Sequence, residues 1–201
     1  MARTLGASLV ALAAGLAVTW AATDGFTAFT LETARRAAAL AHPAPVPALP
    51  LRFADGQLRR LADLPEQWLL VDFVYTRCTS LCLAQGSADA RTMELLASEA
   101  AQGRVALVSI SFDPDHDDPA ALRAFIARDG AAPPGRLAAA PAATQDVARW
   151  LDAFGVVVID DGAGGYAHNE AIGIVDPDRR LVALIDAGDP EAAVAALRVR
   201  W

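Results

Sequence analysis

The 201-residue chain has only two cysteines, no lysine and a small aromatic share of 6%. All seventeen basic residues are arginines, there is no basic patch, and the formal net charge is −7, which disfavours nucleic acid as a partner. No Walker-type phosphate loop, Ser/His/Asp arrangement or zinc spacing occurs. The glycines of Gly162-Ala163-Gly164-Gly165 lack the strand-to-helix setting that a nucleotide site requires. There is no internal repeat either, and with 54% apolar and 20% charged residues the composition is that of one globular domain with an alanine-rich start.

One long hydrophobic run is present. Met1 to Thr4 carries Arg3, and Leu5 to Ala22 is then apolar apart from Ser8 and Thr19. That length falls between a secretory core and a spanning helix, which needs roughly 17–25 apolar residues. Thr19-Trp20-Ala21 offers small residues to a signal peptidase, whereas Trp20 also suits an interfacial anchor. We read the run as an uncleaved anchor, with Arg3 before it and Asp24 after it placing the N-terminus in the cytoplasm and the rest of the chain outside. The bland alternative is an alanine-rich helix buried in the core.

The two cysteines, Cys78 and Cys82, stand four positions apart in Tyr75-Thr76-Arg77-Cys78-Thr79-Ser80-Leu81-Cys82, directly after an apolar stretch. Cysteine is usually retained for its reactivity, so redox chemistry, soft-metal binding or both are implied. If a helix begins just before Cys78, the two Cβ atoms lie about 5–6 Å apart on one face, whereas a disulfide prefers about 3.8 Å. Such a pair makes a labile bridge or a two-sulfur clamp for a soft ion such as Cu(I). A helix N-terminus and the adjacent Arg77 favour the thiolate that both chemistries need. A plain structural disulfide or a pair of inert buried thiols is the competing reading, although a bridge closing so short a loop removes little unfolded-state entropy. In an exported domain the pair drifts to the disulfide unless a partner reduces it.

Three segments are expected: an anchor or signal at 1–22, a juxtamembrane helix (Thr30 to Ala41) with a proline-rich linker at 23–50, and a folded domain at 51–201. Within the domain, Leu51 to Leu64 reads as a small hairpin turning at Asp55-Gly56, and Trp68 to Tyr75 as a central buried strand. Leu81 to Gln102 has helical spacing. Val105 to Phe112 is a second buried strand, Pro119 to Ala127 and Thr144 to Phe154 are helices, Ala171 to Ile185 is a hairpin, and Pro190 to Arg198 is a terminal helix. Strands alternating with helices predict an α/β sandwich.

A strand, a dithiol at the start of the next helix, a parallel strand reached through that helix and a late hairpin together resemble the thioredoxin fold. Within it, Thr76 to Cys82, Ser109-Ile110-Ser111-Phe112-Asp113-Pro114, and His168 followed by Ile174 to Val182 resemble the SCO/SenC family of copper chaperones for cytochrome c oxidase assembly, over roughly Leu51 to Arg198. The resemblance implies a thioredoxin-like three-layer α/β sandwich behind an N-terminal membrane anchor helix. It implies that Cys78, Cys82 and His168 are the copper ligands, two thiolates and an imidazole that suit Cu(I) and tolerate Cu(II). Asp113 matches the family's acidic position near the site and is expected to support the ligands without binding metal. His168 has to be neutral to ligate, so binding is expected to weaken on acidification. The implied partners are the copper-bearing subunit of cytochrome c oxidase and a thiol reductant or upstream copper donor. The implied location is the cytoplasmic membrane, with the domain in the periplasm or an equivalent compartment. Family members commonly carry proline after each cysteine, whereas this chain has Thr79 and Leu83. That departure frees the backbone and leaves open a second function, thiol-disulfide oxidoreductase, with Cys78 and Cys82 as the redox pair; a thiol peroxidase is a weaker third.

The remaining candidates read more blandly. The glycines before His168 predict a loop from which it swings in when metal binds. His42 lies in the linker. His116, in Asp113-Pro114-Asp115-His116-Asp117-Asp118, lacks calcium-loop spacing and reads as part of a solvated loop capping the next helix. Asp72, inside an apolar strand, is either a buried proton acceptor near the dithiol or an edge-facing carboxylate.

Overall fold

The computed structural model describes residues 2–23, 25–26, 30–78, 81–128, 134–162 and 164–201. Helix α1 (Ala2–Ala22) is the apolar run, and Thr4–Ala22 within it has a mean hydropathy of 1.8 and no buried share. It is therefore no core helix. Thr30 caps α2 (Leu31–Ala41) by accepting from the amide of Thr33, and α2 packs along the sheet edge, with Ala39 against the core. The proline-rich stretch that follows is extended as expected and joins the sheet: Ala44–Pro45 forms β1, and Val46 donates to the carbonyl of Arg179 at 2.9 Å.

The small hairpin is present as β2 (Leu51–Phe53) and β3 (Leu58–Arg59), with Gly56 at φ +85° in the turn. Strand β4 (Trp68–Val74) is buried on both faces and pairs in parallel with β5 (Val105–Ser111) from Trp68 against Val105 to Val74 against Ser111. Burial on both faces explains its unbroken apolar character. Between them lie α3 (Leu81–Leu95) and α4 (Ala97–Ala101), where one helix was expected. The chain turns at fully buried Leu96, and Gly103 at φ +70° ends the segment.

Helix α5 (Pro119–Ile126) starts at Asp118, whose carboxylate accepts from the amides of Ala120 and Ala121. Strand β6 (Arg136–Pro141) pairs in parallel with β5 and was not foreseen. Its run of alanines has little strand propensity of its own; packing decides, because Ala138 and Ala140 leave room for Val74, Leu122 and Phe125. Helix α6 (Val147–Phe154) closes at Gly155 in the left-handed region. A separate two-stranded hairpin follows, β7 (Val158–Asp160) with β8 (Tyr166–His168). The chain then returns through β9 (Ala171–Val175), β10 (Arg180–Asp186) and α7 (Pro190–Arg198). Gly173 of β9 leaves space for Phe154, whose ring would stand 2.6 Å from any Cβ there.

The main sheet runs β1-β10-β9-β4-β5-β6-β2-β3. Leu69, Val71 and Phe73 of β4 contribute to one core with Trp150 and Phe154 of α6, while Leu70 joins Met93, Leu96 and Leu197 on the opposite face. This is a three-layer α/β sandwich. The carboxyl ends of β4 and β5 and the start of β9 fall at the same end of the sheet.

Candidate functional site

Cys78, Asp113 and His168 are brought to that end. Beyond β4 the chain makes a tight turn in which the amide of Cys78 donates to the carbonyl of Tyr75. Cys78 is buried, with 6% of its surface exposed, in the same apolar cluster as Tyr75 and Phe112. Cys82 is the second residue of α3; its side chain, like Thr79 and Ser80, lies outside the described residues.

His168 does not sit in the glycine loop. Gly162 and Gly164, at φ +73° and +88°, form the turn of the β7–β8 hairpin, and His168 lies beyond it as the last residue of β8, paired with Val158. Tyr75 pins this hairpin to the sheet. Its hydroxyl accepts from the amide of Tyr166 at 3.2 Å and faces the Tyr166 carbonyl at 3.4 Å. Phe112 completes the joint, with ring centroids 5.4 Å from Tyr75, 5.5 Å from Tyr166 and 5.3 Å from His168. Offset and edge-on contacts of this kind are favourable, each by about 0.5–1.5 kcal/mol beyond burial. The Cys78 segment and His168 are thus built onto one aromatic cluster. Sequence reasoning passed over the three aromatics, although each stands one to three residues before Cys78, Asp113 or His168.

A polar layer fixes the cysteine turn from outside. Asp117, 2% exposed, accepts from the amide of Thr76 at 2.9 Å, the hydroxyl of Thr76 at 2.6 Å and the hydroxyl of Ser111 at 2.6 Å. Arg128 donates to the carbonyl of Thr76. Arg77 donates to Asp113 at 2.6 Å, and Asp113 also meets Nδ1 of His116 at 2.8 Å. Burial works to raise the Asp113 carboxyl, but the hydrogen bonds of Arg77 and His116 outweigh it and hold the group below its usual range. Asp113 therefore stays a carboxylate that supports the segment next to the cysteine. His116 belongs to this layer, and the loop that holds it caps α5 as expected, through Asp118. Asp72 is fully buried and on the other face of β4 from Tyr75, beside Asp89, Ser109 and Arg136.

Among the described residues, no three His, Cys, Asp or Glu side chains form a ready metal site. The chemistry of the donors still fits a soft ion: a buried sulfur and an imidazole share one aromatic cluster, and among the described residues no carboxylate cage competes.

The family profile for SCO1/SenC matches residues 47–200. The chain belongs to the SCO1/SenC family. A comparison with curated proteins gives no match. Among solved structures, the apo Sco1 protein of Thermus thermophilus is 27% identical, with 80% of this chain and 93% of that one aligned at a TM-score of 0.63. ScoI of Bradyrhizobium japonicum with copper bound is 21% identical, covering 79% and 100%, with a TM-score of 0.65. A SCO1/SenC family lipoprotein of Bacillus anthracis str. Ames is 20% identical, covering 80% and 98%, with a TM-score of 0.70. The fold of this SCO1/SenC protein is accordingly thioredoxin-like.

Proposed function

We propose that this SCO1/SenC protein is a membrane-anchored copper chaperone that binds copper through Cys78, Cys82 and His168 and delivers it to a copper centre of cytochrome c oxidase. The observation that carries the reading is the joint on which Cys78 and His168 share Phe112 and its neighbours, within a chain of this family. The copper-bound state of the Bradyrhizobium japonicum relative supports the choice of ion. A thiolate from the turn after β4, a second from the start of α3 and an imidazole from a separate hairpin make a three-donor site whose closure depends on where the hairpin lies. Helix α1 supports an anchor, with the folded domain on the exported side of the cytoplasmic membrane in the periplasm or its equivalent. A thiol reductant is needed to keep the pair open for copper in such a compartment.

The test is an anaerobic Cu(I) competition titration of the reduced full chain in detergent, beside Cys78→Ser, Cys82→Ser and His168→Ala. One tight equivalent lost in all three variants is the expected result. Weak binding, or binding indifferent to His168, would instead favour a thiol-disulfide oxidoreductase acting on the cysteines of a client copper site.

A further inference from the structure

Helix α2 fixes which way the domain faces. Its partner β10 runs antiparallel to β9, and β9 antiparallel to β4, so the carboxyl end of β10 lies at the same end of the sheet as Cys78 and His168. At the opposite end Ala44 pairs with Leu181 and Pro45 with Arg180, close after the last turn of α2. The helix therefore runs from the site end toward the far end. Two arginines confirm its direction: Arg36 meets Asp186, the last residue of β10, at 3.6 Å, and Arg35 lies against Gly155. Gly155 is itself beside Asn169, the residue after His168, whose side chain donates to the Gly155 carbonyl at 3.4 Å. The chain consequently enters the folded body at the end that carries the candidate site.

The tether before that entry is short. From Ala22, the end of α1, to Leu31, the start of α2, there are nine residue steps, which span at most about 30 Å when fully extended. A compact body of this size has a radius of gyration of about 15 Å and is roughly 40 Å across. For the domain to stand with its site end away from the bilayer, the tether would have to run the whole depth of the body. It is too short for that.

From this we infer that the anchored protein holds its site end toward the bilayer, so that the dithiol and His168 serve acceptor groups standing close to the membrane surface, on the water-exposed part of an integral membrane protein. The inference rests on the reading of α1 as an anchor. Exposed Val157 and Ile159, 52% and 62% accessible, lie on the hairpin at this end, whereas Asp178 in the turn between β9 and β10 marks the other.

The experiment uses the full chain, with Cys78→Ser and Cys82→Ser, reconstituted in phosphatidylcholine vesicles whose headgroups carry an energy acceptor. A donor dye is placed through Ile159→Cys or Asp178→Cys, and flotation of each sample is scored first. Chains that float and show markedly stronger transfer from position 159 than from 178 support the orientation. Chains that float with equal transfer, or stronger transfer from 178, overturn the orientation alone. Chains that fail to float overturn the anchor reading, and the orientation falls with it.

Discussion

Arg77 donates from Nη2 to Oδ2 of Asp113 at 2.6 Å, tying the residue before Cys78 to the end of the neighbouring strand. The positive charge that the sequence placed beside the thiol is therefore met by a carboxylate, so its help to a thiolate is shared. Because the Asp113 carboxyl is held below its usual range, its contribution is fully present above that range. It is lost only as the pH falls below about 4. Asp113→Asn is expected to remove this acid-side dependence of stability and to speed alkylation of Cys78 several-fold at neutral pH. An unchanged alkylation rate would show that the pair does not hold the cysteine turn.

Asp117 carries more of that turn than Asp113 does. It is buried and accepts three hydrogen bonds, two of them from Thr76. Hydrogen bonds to a charged group contribute about 1.5–3 kcal/mol each and are not additive, so Asp117→Ala is expected to cost about 3–4 kcal/mol in urea unfolding. Asp117→Asn keeps part of the set and should cost less. Equal losses for the two would mean that the lost charge, not the cavity, sets the cost.

How the sequence disclosed these features follows from their range. Strands β4 and β5 were legible because burial on both faces writes a continuous apolar run, and the dithiol was legible because only two cysteines exist. Strand β6 was not, since its alanines are chosen by close packing against α5 and not by propensity. His168 was marked, but its support was misplaced: the glycines before it signal a turn, and only long-range pairing with Val158 and the contacts of Tyr75 put it on a strand. The Arg77–Asp113 and Thr76–Asp117 links join residues 36 and 41 positions apart, which no local pattern encodes.

Asp72 and Asp89 form a buried carboxylate pair with one guanidinium, Arg136, which lies 3.3 Å from Asp89. Two carboxylates and one arginine leave a net negative charge, and one bound proton removes it. Burial first, then the charge of Asp72, push Asp89 well above the ordinary range against the pull of Arg136. The folded chain thus keeps a proton that the unfolded chain releases above about pH 4, and stability falls as the pH rises from there through the folded value, by up to about 1.4 kcal/mol per unit. In Asp89→Asn the amide stands in for the protonated acid. Urea unfolding of this variant between about pH 5 and 8 is expected to show a flatter profile than the native chain; an unchanged slope would place the proton elsewhere.

Phe112 offers a way to separate the imidazole from the thiols. Its ring meets His168 edge-on at 5.3 Å and an interplanar angle of 69°. Phe112→Ala would open a cavity costing about 3–5 kcal/mol and confuse binding with folding. Phe112→Leu keeps an apolar side chain and should cost less than about 1.5 kcal/mol from volume alone, yet it removes the ring that orients His168. If His168 is a copper ligand, Phe112→Leu is expected to weaken Cu(I) retention in the native background and to add little once His168→Ala is present. Contacting residues that act through one another give such a non-additive cycle. Fully additive losses would place the effect of Phe112 on the cysteine turn and not on the histidine.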